Sequence, residues 1–369
     1  MEIIKRIMNA EIFIENLRKE TGVPYIDVIC YREHKEIFRY YSGAGVNGKE
    51  TLQMYSCSKP VTVVAALRLI ERGMLSLDDK VYKYLPEIEN AYVVNEKNEK
   101  IAVGRQMTVF HLFTMTAGFT YDTATEPIKE LVKKSGGRSV LRDFIAKFAE
   151  TPLSFVPGSV YKYSLCHDVL AAVIEVVTGK KFSEYVKETI FEPLKMYNSR
   201  FDNGETNIAD MYIASIDGKI VRHSGKNSLL PTDNYESGGA GLVSTVEDYI
   251  RFADSLACGG KSAGGYSVLS KKGLCELTTE RIKSASIPNG FSDDNYGYGL
   301  GVRVRLKPTA WGLSAGEFGW DGAAGSFVLI DSVKKTSLFI GMHLLGWPNV
   351  FRGKHLAIAE SVYRELFKE

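Results

Sequence analysis

Three things are scarce in this 369-residue sequence: paired cysteines, excess charge of one sign and long apolar runs. The five cysteines, Cys30, Cys57, Cys166, Cys258 and Cys275, are odd in number, far apart and free of any Cys-x-x-Cys pair. Reduced thiols are expected, with neither a disulfide framework nor a zinc site. Lys and Arg number 46 against 44 Asp and Glu, a formal net charge of +2. That balance leaves no footprint for nucleic acid or an anionic membrane, and neither is expected as a partner. The opening Met1-Glu2-Ile3-Ile4-Lys5-Arg6 runs into an amphipathic segment interrupted by Asn9, Glu11, Glu15 and Asn16. Without an apolar signal core or a stretch of membrane-spanning length, a cytoplasmic location is expected. The six histidines are scattered, His-Glu-x-x-His does not occur and no acidic cluster has ligand spacing, so neither metal nor cofactor is expected.

What is present is a substantial core, 45% of residues being hydrophobic. Apolar positions Ile4, Ile7, Met8, Ile12 and Leu17 predict a helix over 3–19, ended by Gly22-Val23-Pro24. Tyr25–Tyr31 and Glu36–Ser42 read as a hairpin across the polar Arg32-Glu33-His34-Lys35. From about residue 81 to 230 the pattern is helical segments joined by Gly and Pro, with no evident strand pair. Strands return at Gly299–Leu306, Ser326–Asp331 and Thr336–Leu345, and a helix closes the chain over Val350–Phe367. The expected fold class is α+β: residues 1–80 and 231–369 form a lobe with a central antiparallel sheet flanked by helices. Residues 81–230 form an inserted, mainly helical lobe, with the active site between the two.

Three stretches could carry chemistry. In Tyr55-Ser56-Cys57-Ser58-Lys59-Pro60, Pro60 belongs in a first helical turn, which puts Ser56 at the mouth of a helix over Lys59–Arg72. Ser56 and Lys59, three apart, can share a face; a lysine desolvated by apolar surroundings can lose its proton and activate a serine hydroxyl. Alone the pattern is weak, since Ser332–Lys335 repeats it in a charged turn. The second stretch, Pro157-Gly158-Ser159-Val160-Tyr161-Lys162-Tyr163-Ser164-Leu165, delivers Tyr163 just ahead of a helix starting near Asp168. The third, Gly316 to Gly325 with Trp320-Asp321-Gly322-Ala323 at its centre, has glycines that let backbone approach a bound group before a strand begins.

The order of these stretches resembles the penicillin-recognising serine hydrolases, the superfamily of β-lactamases and D,D-peptidases. Further similar segments are Asp78–Pro86, Met107–Gly118 and Ser237–Thr245. The resemblance implies a β-lactamase/transpeptidase-like fold. Two motifs depart from the usual pattern: Tyr163-Ser164-Leu165 stands where Tyr-x-Asn is common, and Trp320-Asp321-Gly322 where Lys or His, then any residue, then Gly is usual. This pairing is similar to the carboxylesterase and acyltransferase branch of the fold.

What the resemblance implies is an acyl-enzyme on Ser56, with Lys59 and Tyr163 as a coupled proton-transfer pair. The backbone N–H groups of Ser56 and Ala323 would form the oxyanion hole, and Leu165, Trp320, Asp321 and Gly322 would contact substrate. The implied substrate is a small uncharged ester, or an amide; the alternatives are a β-lactamase or D-amino-acid peptidase of the same fold, or an acyltransferase. Against an α/β-hydrolase triad stand the strand-rich ends around a helical middle, and a Gly-x-Ser-x-Gly elbow is not expected. His167 and His343 read as packed imidazoles; the alternative for His343, on a late strand, is a place in the pocket lining. A binding module would be expected to lose Ser56, Lys59 or Tyr163, and all three are present.

Overall fold

Tyr25–Arg32 (β1) and Lys35–Gly43 (β2) pair antiparallel as the sequence predicts, with a bulge between Cys30 and Tyr31. The computed structural model describes residues 9–43, 46–201, 208–223, 227–283, 286 and 295–367. Five late strands extend the hairpin: Tyr296–Tyr298 (β3), Arg303–Arg305 (β4), Phe318–Asp321 (β5), Phe327–Asp331 (β6) and Thr336–Gly341 (β7). They form one seven-stranded antiparallel sheet in the order β2-β1-β7-β6-β5-β4-β3. The two chain ends therefore meet where β1 lies against β7, Cys30 facing Leu338.

Side chains of a strand alternate between faces, and here both faces are apolar, so the central strands are buried throughout. One face carries Ile26, Val28, Leu329, Leu338 and Ile340, and packs on helix Ala10–Thr21 (α1) and the closing helix Lys354–Leu366. The other carries Ile29, Val328, Ile330 and Phe339, and packs on Ser58–Glu71 (α2) and Val246–Ala257. Helix α1 begins later than its apolar spacing predicts. The Asn9 side chain caps it by accepting from the Glu11 N–H, while Ile4, Ile7 and Met8 lie outside the described residues.

The middle of the chain is mainly helical, with Glu126–Ser135, Leu141–Phe148 and Cys166–Thr178 (α3) among its elements. The expectation of no strand pair there needs correcting. Tyr92–Val94 pairs with Lys100–Ala102, and Met211–Ala214 with Ile220–His223. Both hairpins are short and largely solvent-facing, so neither has the buried face that writes an alternating pattern into a sequence. The glycine-rich stretch before Gly325 likewise contains a strand, β5; a Cβ at Gly319 would come within 2.0 Å of Val328 O, so only glycine fits there.

Ser56 lies in a 3-10 turn, Tyr55–Cys57, that runs directly into α2. Three contacts fix this turn. Met54 N–H donates to Leu242 O (2.8 Å), Leu242 N–H donates to Ser58 Oγ (2.9 Å), and Tyr249 OH, from the helix Val246–Ala257 (labelled α4), donates to Cys57 O (2.7 Å). Replacing Ser58 by Ala strips a fully buried N–H of its acceptor. Ser58→Ala should lower stability by about 1–3 kcal/mol, seen as an earlier urea midpoint at unchanged slope.

Candidate active site

Lys59 is a lysine with no exposed surface. Its Nζ lies 3.1 Å from Ser56 Oγ, 2.8 Å from Tyr121 OH and 2.6 Å from Gly239 O. Burial pulls its pKa down to about 7, opposed chiefly by the charge of Asp168. A neutral amine has two hydrogens and one lone pair. A carbonyl can only accept, so Gly239 O takes one hydrogen, and Tyr121 OH is placed for the other. The lone pair is then left for the Ser56 hydroxyl, the arrangement of a general base on a nucleophile.

Tyr163 closes the other side. Lys59 Nζ sits 4.5 Å from its ring centroid, and its OH accepts a hydrogen bond from Trp320 Nε1 at 3.0 Å. Burial raises the Tyr163 pKa, and interactions with the hydroxyl of Ser56, the Trp320 N–H and Tyr121 work against that rise. Trp320 stacks on Tyr163 at 5.6 Å and meets Tyr298 edge-on at 5.3 Å. With 7% exposure, Trp320 is packed between Tyr163 and Tyr298. Leu165 is also buried; it caps the helix α3 that follows Tyr163.

Gly322 and Ala323 follow β5. A Cβ at Gly322 would stand 2.5 Å from Met54 O, so glycine alone lets this loop lie against the backbone leading to Ser56. Ala323 is exposed and its N–H meets no acceptor among the described residues; the Ser56 N–H belongs to a first turn, where no intrahelical partner exists. The Asp321 carboxylate is part-exposed, 3.9 Å from Arg303 Nη1.

Ser56, Lys59, Tyr163, Trp320, Gly322 and Ala323 thus come together from three distant stretches. Sequence reasoning missed Tyr121, Gly239 and Asp168. The first stands just beyond the similar segment Met107–Gly118, the second inside Ser237–Thr245, so the segments pointed to the site without naming its contacts. Asp168, fully buried, bonds Ser237 Oγ through Oδ1; a Cβ at Gly239 would strike its Oδ2 at 2.6 Å.

The histidines stay outside. His343 is buried between Ala209 O and the Gln53 N–H, which bonds its Nε2, and burial lowers its pKa to about 4. It therefore props the strand entering Ser56. His167 is buried against Phe113 O, its pKa lowered to about 3. Cys57 packs its Sγ on the carbonyls of Trp320 and Ser326, with burial raising its pKa well above the ordinary thiol value, and burial raises Cys166 to about 11. Burial thus disfavours the reactive thiolate form of both. One expectation fails by letter: Gly260-Lys261-Ser262-Ala263-Gly264 does spell Gly-x-Ser-x-Gly. It lies in a turn after helix α4, without the strand-to-helix junction of an elbow, and Ser262 Oγ accepts the Tyr266 N–H at 3.1 Å.

The family model described as Beta-lactamase matches residues 11–362. Esterase EstB of Burkholderia gladioli is 27% identical over 342 residues, covering 85% of this chain and 82% of its own. Among solved structures, EstCE1, described as a hydrolase with promiscuous acyltransferase activity, superposes with a TM-score of 0.77 at 22% identity, over 97% of this chain and 98% of that one. The LovD6 mutant of simvastatin synthase from Aspergillus terreus gives 0.79 at 18% identity, over 100% and 99%. The β-lactamase/transpeptidase-like fold expected from the sequence is the fold of these structures.

Asp168 provides a test of Lys59 as base. Its negative charge favours the ammonium form, so Asp168→Asn should lower the Lys59 pKa further. If kcat/KM rises with pH as Lys59 loses its proton, the variant's acid limb should move to lower pH; an unmoved limb would separate Lys59 from the rate.

Proposed function

The chain belongs to the Beta-lactamase family and is a serine hydrolase; from that premise we propose that it opens small uncharged carboxylic esters through an acyl-enzyme on Ser56. The observation that carries this reading is the fully buried Lys59 amine 3.1 Å from Ser56 Oγ, with Tyr163 over the same amine. Ser56 Oγ attacks the ester carbonyl carbon while its proton passes to the Lys59 and Tyr163 pair. The carbonyl oxygen, now negative, is met by the Ser56 and Ala323 N–H groups, each such donor being worth roughly 3 kcal/mol. The C–O bond then breaks, and the pair returns the proton to the departing alkoxide. Water then attacks the acyl carbonyl carbon and gives a proton to the same pair; the acyl C–Oγ bond breaks, the acid leaves and the pair returns the proton to Ser56 Oγ. A second alcohol in place of water would make the step an acyl transfer.

Polarity favours an uncharged substrate. A β-lactam carries a carboxylate beside its reactive carbonyl, and here that group would face Trp320 and the Asp321 carboxylate. Arg303, on the neighbouring strand β4, is 4% exposed; its Nη2 donates to Val328 O beside Glu317, and its Nη1 faces the Asp321 carboxylate at 3.9 Å. It is a poor candidate for holding an incoming anion.

A fluorophosphonate probe should label Ser56, mapped by peptide mass spectrometry, and Ser56→Ala should lose both the label and hydrolysis of p-nitrophenyl esters. An adduct on Ser262, or activity within tenfold of wild type in the variant, would refute the assignment. The second measurement compares substrates. Nitrocefin should be opened with kcat/KM at least ~100-fold below the best short uncharged ester, roughly 2.7 kcal/mol of transition-state stabilisation. Equal rates would favour a β-lactamase or D-amino-acid peptidase.

A further inference from the structure

Far along the chain from Ser56, the tip of the β1–β2 hairpin meets the C-terminal end of helix α4. Glu33 and His34 both take left-handed backbone angles, φ 50° and 67°, which turns the His34 ring towards that helix end. Its Nδ1 lies 2.7 Å from Asp254 Oδ2, and its backbone N–H donates to Asp254 Oδ1 at 3.1 Å. Asp254 and Cys258 are four apart on one helical face, and Cys258 Sγ is 3.6 Å from Asp254 Oδ1. One donor atom from each of the three side chains lies within 4.8 Å of the others. A cavity of about 240 Å³, lined by His34, Asp254, Tyr31, Lys195, Arg251 and Ser262 among others, opens beside them.

We propose that His34, Asp254 and Cys258 form a zinc site, with the fourth position open to the cavity. An imidazole nitrogen, a carboxylate oxygen and a thiolate are the three donor types that zinc takes, and the sulfur argues against calcium or magnesium. Tetrahedral zinc sets sulfur and oxygen ligands about 3.5 Å apart and nitrogen and oxygen about 3.3 Å apart, from bond lengths of about 2.0–2.3 Å. Cys258 Sγ stands at about that sulfur to oxygen spacing from Asp254 Oδ1, 3.6 Å, while His34 Nδ1 meets the other oxygen, Oδ2, at 2.7 Å. With one carboxylate oxygen as the ligand, the Asp254 carboxylate turns to present it to both Sγ and Nδ1, and the His34 contact opens by roughly 0.6 Å as the metal takes the place of the shared proton. Charge balances too: the thiol gives one proton to solvent, His34 moves its remaining proton to Nε2, and thiolate plus carboxylate neutralise the dication. Sequence spacing pointed away from such a site because residues 34 and 254 are brought together only by the sheet. Bound zinc would staple the hairpin to α4, the helix whose Tyr249 holds Cys57 O.

The test uses the full-length chain without a metal-binding tag, stripped by chelator and dialysed. Zinc should return at one per chain with release of one proton, and raise the melting temperature. Cobalt should give thiolate-to-metal charge-transfer absorption together with the visible bands of a four-coordinate site. Cys258→Ser should weaken zinc binding at least ~100-fold and abolish the charge-transfer band, while Cys275→Ser, at an exposed thiol, should change neither. Circular dichroism checks that both variants are folded. Substoichiometric zinc in the wild type, a cobalt spectrum without sulfur character, or affinity that survives Cys258→Ser would each overturn the proposal.

Discussion

A lysine amine kept from water is the constraint on which the other features depend. Leaving an ammonium unsolvated costs several kcal/mol, and that cost brings the Lys59 pKa down to about 7, where the neutral amine becomes accessible. The neutral form persists only while every side of Nζ is covered. Ser56 comes from the preceding turn, Gly239 from a loop clamped under the first turn of α2, and Tyr121 and Tyr163 from the helical middle. The two halves of the chain are therefore joined at the atom whose protonation matters. Thr62 Oγ1 donating to Gly238 O at 2.6 Å fixes the loop that supplies the carbonyl.

Aromatic packing supplies the rigidity. Tyr121, Tyr163, Trp320, Tyr298 and Tyr161 form a continuous chain of ring contacts, with neighbouring centroids 5.2–5.6 Å apart. Each pair adds about 0.5–1.5 kcal/mol beyond its buried area. More importantly, the Tyr163 hydroxyl cannot swing away while its ring is stacked and its oxygen is held by the Trp320 N–H. Trp320 brings an indole donor and a flat surface to Tyr163, and both act on the position of its hydroxyl.

Much of this was legible in the sequence where a residue type has few uses. Pro60 pointed to the start of α2, and the ordered segments pointed to the fold; the glycines of 316–325 were expected to let backbone approach a bound group, and Gly322 among them lies against Met54 O. Tyr121 was not legible, because one tyrosine among 20 carries no signal without its neighbours. Nor was Asp168, which reads as an ordinary first-turn acid of α3 and becomes significant only when the fold buries it near Lys59. The short hairpins at 92–102 and 211–223 escaped for the opposite reason: they bury too little to leave a pattern. The letters of Gly260–Gly264 mislead in a third way, since a motif without its strand and helix has no chemistry.

Behind the site, the sheet carries charge where apolar residues would be cheaper. Glu317 is fully buried, with Arg303 Nη2 at 3.4 Å and Arg305 Nε at 3.7 Å, and Arg305 donates to Tyr296 OH at 2.7 Å. Desolvating these groups costs about as much as their attraction returns, so the cluster adds little net stability. Its effect is on register. A slip of one residue along β4 or β5 would turn Arg303 or Glu317 to the opposite face and leave a buried charge unmatched, at about 3–5 kcal/mol. The same slip would carry Trp320 off Tyr163 and lift Gly322 from Met54 O. Buried charges that stabilise little can thus still hold the Gly322-Ala323 loop and the Tyr163 hydroxyl in one alignment with Ser56.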